Sequence, residues 1–159
     1  MNATTEAVED GLSIQRESAS ADMPDDPAIR RFAAVALEDL DAPVLNLRIV
    51  DEDEGRALNR QWRQRDYATN VLSFPADLPA GTGINLLGDV VITAQVVEQE
   101  AAAQGKSVSD HFAHLLIHGI LHLRGFDHIS DSDARDMEAL EVERLAILGL
   151  SNPYQSDDD

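Results

Sequence analysis

The chain is expected to fold as an α+β domain: one small, mostly four-stranded sheet flanked by about five helices, with a tri-histidine metal site at a helix end. Three observations lead there. Short β-branched runs and apolar segments spaced by three and four residues are intermixed along the chain. Its 159 residues are enough for one domain with a real core. All five histidines fall between His111 and His128, near the end of one helical segment. Residues 1–11 read as a disordered acidic tail, 12–154 as a single domain, and 155–159 as a second acidic tail.

The elements follow in order. Leu12-Ser13-Ile14-Gln15 alternates weakly and suits a short strand. Met23 to Pro27 is a turn, with Asp26 a candidate N-cap and Pro27 at the first helical position. The helix it opens carries Ile29, Phe32, Ala33, Ala36, Leu37 and Leu40 on one face and stops at Asp41-Ala42-Pro43. Val44 to Val50 is a strand, and Asp51 caps a helix running from about Glu52 to Trp62. Val71-Leu72-Ser73-Phe74, ended by Pro75, is a short strand, and Pro79 to Gly83 is a loop. Leu86 to Ile92 is nearly continuously apolar, which suggests a buried central strand. A helix from Ala94 to Gln104 closes at Gly105. Ser109 or Asp110 starts the histidine helix, which ends near Gly125. Asp131 or Ser132 starts a last helix through Met137, Leu140, Leu145 and Leu148.

The histidine run carries the chemistry. His118 and His122 lie one helical turn apart on the same face, so two imidazoles can aim at one point. Gly125 tolerates a left-handed stop, after which the chain can fold back to bring His128 in as a third ligand. Three neutral nitrogens around a tetrahedral zinc leave a fourth position open, the layout of a catalytic site. The spacing is that of the long zincin motif, whose Glu after the first His is the general base of a peptidase. Here that position is Gly119, which can move no proton. A peptidase of this plan lacks its base.

Composition bounds the partners. There is no cysteine, so neither a disulfide framework nor a thiolate metal site is available. The first eleven residues lack the apolar core of a secretory signal, and no run approaches a membrane span, so a cytoplasmic protein is expected. The net charge of −18 disfavours nucleic-acid binding over most of the surface. Between Gly55 and Pro75, however, Arg56, Arg60, Arg63 and Arg65 face only Asp66. That patch suits either a polyanion held at one place or a solvated helix face.

Four motifs, in order, identify a relative. They are Leu58-Asn59-Arg60-Gln61-Trp62-Arg63, then Thr69-Asn70-Val71-Leu72-Ser73-Phe74-Pro75, then Leu87-Gly88-Asp89-Val90-Val91-Ile92, then the histidine run from His118 to His128. Together they resemble the YbeY family of bacterial ribosomal-RNA maturation factors, metal-dependent single-strand endoribonucleases. The closing Asn152-Pro153-Tyr154 also fits the family, and the resemblance spans roughly Leu12 to Tyr154. Trp62 and Phe126 stand where tyrosine is common.

The resemblance implies one zinc ion on His118, His122 and His128, with Arg63 lining the same cleft and Arg63 and His118 as the catalytic residues. It implies single-stranded rRNA as substrate, with action on rRNA precursors, including the 16S rRNA 3′ end, and on defective ribosomes. It also implies the small ribosomal subunit and an associated ribosomal protein or GTPase as partners. A guanidinium at Arg63 suits phosphate oxygens on physical grounds as well. Two other functions fit the residues: a metal-dependent hydrolase of a peptide or small ester, and a non-catalytic ribosome assembly factor with a structural zinc. His114, one turn before His118, is expected to pack or to orient the site, and His111 to be solvated. Asp127 could bond a ligand imidazole or shape the turn. Ser73 and Thr69 suit strand-end and turn roles better than that of a nucleophile.

Overall fold

A computed structural model describes residues 6–9, 11–76, 86–126 and 130–154. The strands are β1 (Glu6–Glu9), β2 (Leu12–Glu17), β3 (Val44–Val50), β4 (Val71–Pro75) and β5 (Leu86–Thr93). The helices are α1 (Asp26–Leu37), α2 (Glu52–Arg63), α3 (Ala94–Gln104), α4 (Val108–Leu123) and α5 (Asp131–Ile147). The sheet runs in the order β1-β2-β3-β5-β4. β2, β3 and β5 are mutually parallel, while β1 and β4 run antiparallel at the two edges.

Strand alternation sorts the core onto two faces. Leu45, Leu47 and Ile49 of β3 and Val90 and Ile92 of β5 join the large core under α1, α3, α4 and α5. Val50, Leu72 and Val91 point the other way and form a smaller cluster with Leu58 of α2 and Phe74. β5 is an interior strand, between β3 and β4, as its continuous apolar run predicts, while β3 takes the middle place. α4 is the innermost helix: Phe112, Leu116, Ile117, Ile120 and Leu121 are fully buried. A helix apolar nearly all round belongs inside a fold, so its polar histidine stripe must be accommodated by partners.

The tail does not match the expectation of disorder throughout 1–11. Glu6–Glu9 forms β1, with Glu9 opposite Leu12, so the sheet has five strands instead of four. Two residues connect these strands, the tightest hairpin connection, and Gly11 takes the positive φ of +80° that such turns demand. The alternation in Glu6-Ala7-Val8-Glu9 is short and masked by its acids, which is why composition alone suggested a coil.

Helix starts also differ by a residue or more. Asp25 caps α1 by accepting from the Ala28 amide at 3.0 Å, and Ser107 caps α4 by accepting from the Asp110 amide at 3.0 Å. The predicted loop over Pro79 to Gly83 lies outside the described residues.

Gly119 shows why no acid follows the first histidine. A Cβ built there would stand 3.0 Å from Val90 Cγ1 and 3.1 Å from Val71 Cγ2, with Ser73 Oγ at 3.2 Å. Ser73 Oγ itself donates to the Gly119 carbonyl at 2.9 Å, tying α4 to β4. The helix packs on the sheet through this missing side chain. Gly119→Ala should therefore lower the melting temperature. Overpacking costs about 1–3 kcal/mol, against a helix-propensity gain of about 1 kcal/mol. A raised melting temperature would contradict this packing.

Candidate active site

His111, His114, His118 and His122 project from one face of α4, with neighbouring ring centroids 6.2, 6.3 and 4.6 Å apart. The last two converge most closely: Nε2 of His118 lies 3.1 Å from Nε2 of His122. Two imidazoles bound to one tetrahedral zinc at ordinary bond lengths would place these atoms about 3.3 Å apart. α4 then ends as a glycine-stopped helix. Gly125 sits at φ +98°, and the Phe126 amide returns to the Leu121 carbonyl at 3.0 Å. Arg124 pins this end to α1 and the turn after it, donating to the Ala36 carbonyl and to Asp39, each at 2.8 Å. His128 and Asp127, which follow, lie outside the described residues. Among the described residues no third His, Asp or Glu completes a metal-holding group with the pair.

The best-defined partner of the pair is Glu141, which no sequence motif marked. It lies on α5 and is fully buried. Its Oε1 accepts from His118 Nδ1 at 3.1 Å, from His114 Nε2 at 2.9 Å and from the Tyr154 hydroxyl at 2.9 Å. Burial pushes its carboxyl pKa up, but hydrogen bonds and charge from His114 and His118 outweigh that and hold it at about 2. A carboxylate can only accept. The proton of neutral His118 therefore sits on Nδ1, and the lone pair of Nε2 faces His122. This is how a supporting carboxylate prepares a histidine for a metal. Burial and the nearby Glu141 charge push the Tyr154 hydroxyl pKa well up, so it stays a donor. The signal was present in the sequence: Met137, Glu141 and Leu145, spaced by four, are the buried stripe of α5.

His111 is not solvated as expected. It is 3% exposed, and its Nε2 lies 2.8 Å from Oε1 of Glu100. Burial lowers its pKa from the ordinary value. Glu100 also accepts from Asn70 Nδ2 at 3.1 Å, so this pair secures the start of β4 at the cleft floor. The role is structural, because α3 covers the position.

Arg63 reaches the same cleft from α2. Its Nη2 donates to the Ser73 carbonyl at 2.8 Å, and its guanidinium stands 5.5 Å from the centre of the Phe74 ring. Arg63, Asn70, Ser73, His118, His122 and Phe126 line one opening of about 420 Å³. The motif around Arg63 explains its placement. Leu58 packs under the sheet, and buried Asn59 donates to the Tyr67 carbonyl at 2.8 Å, shaping the chain after the helix. Gln64 closes α2 at a left-handed φ of +59°. Arg63 therefore sits at the last helical position, beside edge strand β4. Arg56, by contrast, is taken up by Asp66 through paired bonds of 2.8 and 3.0 Å.

Comparison with known proteins gives the family of the chain. Residues 14–149 match the family model described as Endoribonuclease YbeY. A Pseudomonas putida KT2440 protein named Endoribonuclease YbeY is 54% identical over 149 residues, covering 92% of this chain and 94% of that one. A Cellvibrio japonicus protein of the same name is 52% identical over 145 residues, covering 90% and 82%. A solution structure of a Thermotoga maritima protein is similar with a TM-score of 0.55 at 21% identity, over 91% of this chain and 99% of that one. That last likeness is one of fold. The chain belongs to the YbeY family of endoribonucleases.

Proposed function

We propose that the chain is a zinc-dependent endoribonuclease that cuts single-stranded rRNA. Its task is rRNA maturation, including the 16S rRNA 3′ end, and ribosome quality control in the cytoplasm. The observation that carries the reading is the convergence of His118, His122 and Arg63 on one opening, in a family of endoribonucleases. His118 and His122 supply two imidazoles at a separation that fits one zinc, and Glu141 supplies the carboxylate that such a ligand needs. His128 completes the set by its place in the sequence. Zinc, when bound, supplies Lewis acidity and a nucleophile at neutral pH.

The chain's own residues do the rest. Arg63 presents a planar fork to the oxygens of the scissile phosphodiester, fixing it and offsetting charge that grows during displacement. The Ser73 carbonyl restrains one arm of that guanidinium, so less freedom is lost when phosphate binds. Gly119 adds no acid or base beside the pair. Glu141 keeps the proton of His118 away from the cleft. A duplex would shield its backbone from so short an opening, which favours single strands.

The strongly acidic body repels RNA away from the arginine patch. The small ribosomal subunit, with an associated ribosomal protein or GTPase, then supplies affinity and orientation. No helix among the described residues is long and apolar enough to cross a membrane.

The test is cleavage of a single-stranded RNA and its duplex by purified protein, with and without chelator, followed by analysis of the product ends. Cutting of the single strand alone, abolished by chelator, is expected. A 2′,3′-cyclic phosphate end would assign the attack to the RNA's own 2′-hydroxyl. Equal cutting of duplex, or cutting that survives the chelator, contradicts the reading.

A further inference from the structure

Beyond the metal cleft, and resting on the RNA-cleaving reading above, the exposed indole of Trp62 stands in a second groove that no step of the reaction uses. We infer that this groove is a subsite for an unpaired nucleobase adjoining the scissile phosphate, with Trp62 as its stacking platform. Trp62 is 57% exposed, an unusual cost for the largest apolar side chain in the protein. Phe74 braces it edge-on, with ring centroids 6.2 Å apart and planes at 69°. Trp62, Phe74, Leu58 and Arg48 help line an opening of about 420 Å³ on the α2 side of the sheet, which Arg63 and Pro75 also border.

Arg63 and Pro75 also line the metal cleft. The connection follows from the alternation of β4. Ser73 is tied to α4 and the metal cleft, whereas Leu72 and Phe74 pack towards α2. β4 is an edge strand of the sheet, so a chain can pass from one face to the other around it at Arg63. A phosphate held by Arg63 thus has the paired histidines on one side and the indole on the other.

Charge selects the occupant. In a protein of net charge −18, exposed Arg63 follows Trp62 in the chain and lines the same groove, while Arg56 is bound to Asp66. A cation beside an exposed aromatic ring is the working combination of a single-strand nucleic-acid groove, in which bases stack without sequence preference. Arg48 is held by Glu17 and Glu54 and so forms part of the wall.

Trp62 is the sole tryptophan of the chain, so its fluorescence reports on this groove alone. The experiment titrates the full-length protein, in chelator to prevent cleavage, with a single-stranded oligoribonucleotide, its duplex, and strands carrying one abasic position. Quenching by the single strand and not by the duplex is expected. Trp62→Ala should weaken binding about tenfold, within the range of one lost stacking contact, while Trp62→Tyr stays near wild type. The most damaging abasic position in wild type should cost little in Trp62→Ala, which a merely structural role for Trp62 would not produce. Wild-type protein that cuts the strand, with binding unchanged in Trp62→Ala, overturns the subsite alone and marks the groove as a protein-docking surface. Wild-type protein that neither binds nor cuts RNA overturns the endoribonuclease reading with it.

Discussion

Substituting His122 by alanine should leave the purified protein with zinc content far below one per chain and no measurable RNA cleavage. The expectation rests on the 3.1 Å approach of the two Nε2 atoms: removing one leaves too few ligands to hold a tetrahedral ion. Because His122 is half-buried near the mouth of the cleft, the fold should survive the change. Glu141→Gln gives the graded version. It keeps the shape and the acceptor oxygen but removes the charge that holds the proton of His118 on Nδ1. Zinc affinity should fall by about 10–100-fold, the range for losing such a supporting carboxylate. Full zinc occupancy in His122→Ala, measured by elemental analysis, would remove the pair from the metal site. Unchanged affinity in Glu141→Gln would reduce Glu141 to a packing residue.

Arg63→Ala should slow RNA cleavage by about 10²–10³-fold, the usual effect of losing one donor to the transition state. Its melting temperature should stay close to wild type, since Arg63 is exposed and, among the described residues, is held by the Ser73 carbonyl and the Phe74 ring. Arg63→Lys should recover only part of the rate, because an ammonium keeps the charge and loses the planar fork. Zinc content should be unchanged in both variants. Cleavage at the wild-type rate by Arg63→Ala would exclude the guanidinium from the reaction, and a large fall in stability would make it a structural group.

Local signals were enough for most of the architecture. Ala94 to Gln104, closed by Gly105, was readable to the residue, because a left-handed glycine ends a helix sharply. The continuous apolar run of β5 indicated its interior position. The His118–His122 pair followed from helical spacing, and the stop at Gly125 from residue type. Spacing reveals which face of a helix a side chain occupies, but not which element covers that face. His111, expected to be solvated, is buried, because Glu100 on α3 meets it there. Glu141 stands among other acids, Glu138 and Glu143, and no motif marks it; its four-residue spacing from Met137 and Leu145 is the signal that finds it. Gly119 was legible as the absence of a base, while its cause, the contact with Val71 and Val90, is tertiary. β1 was missed because two short apolar side chains between glutamates carry little periodic signal.

The C-terminal Asn152-Pro153-Tyr154 supports Glu141 through hydrogen bonds. Tyr154 donates to Glu141, and Asn152 accepts from the Tyr154 amide at 2.8 Å. The end of the described chain thus supports a carboxylate that in turn supports His118. The candidate site draws on α2, β4, α4, α5 and this closing segment, so its marks are scattered along the sequence.

The most direct measurement is a zinc titration of metal-free protein, followed by cleavage of a single-stranded RNA. Activity should be absent at the start, rise in proportion to added zinc, and level off at one ion per chain. Metal-free protein that cleaves at the full rate, or a zinc-loaded protein that does not cleave at all, would contradict the account.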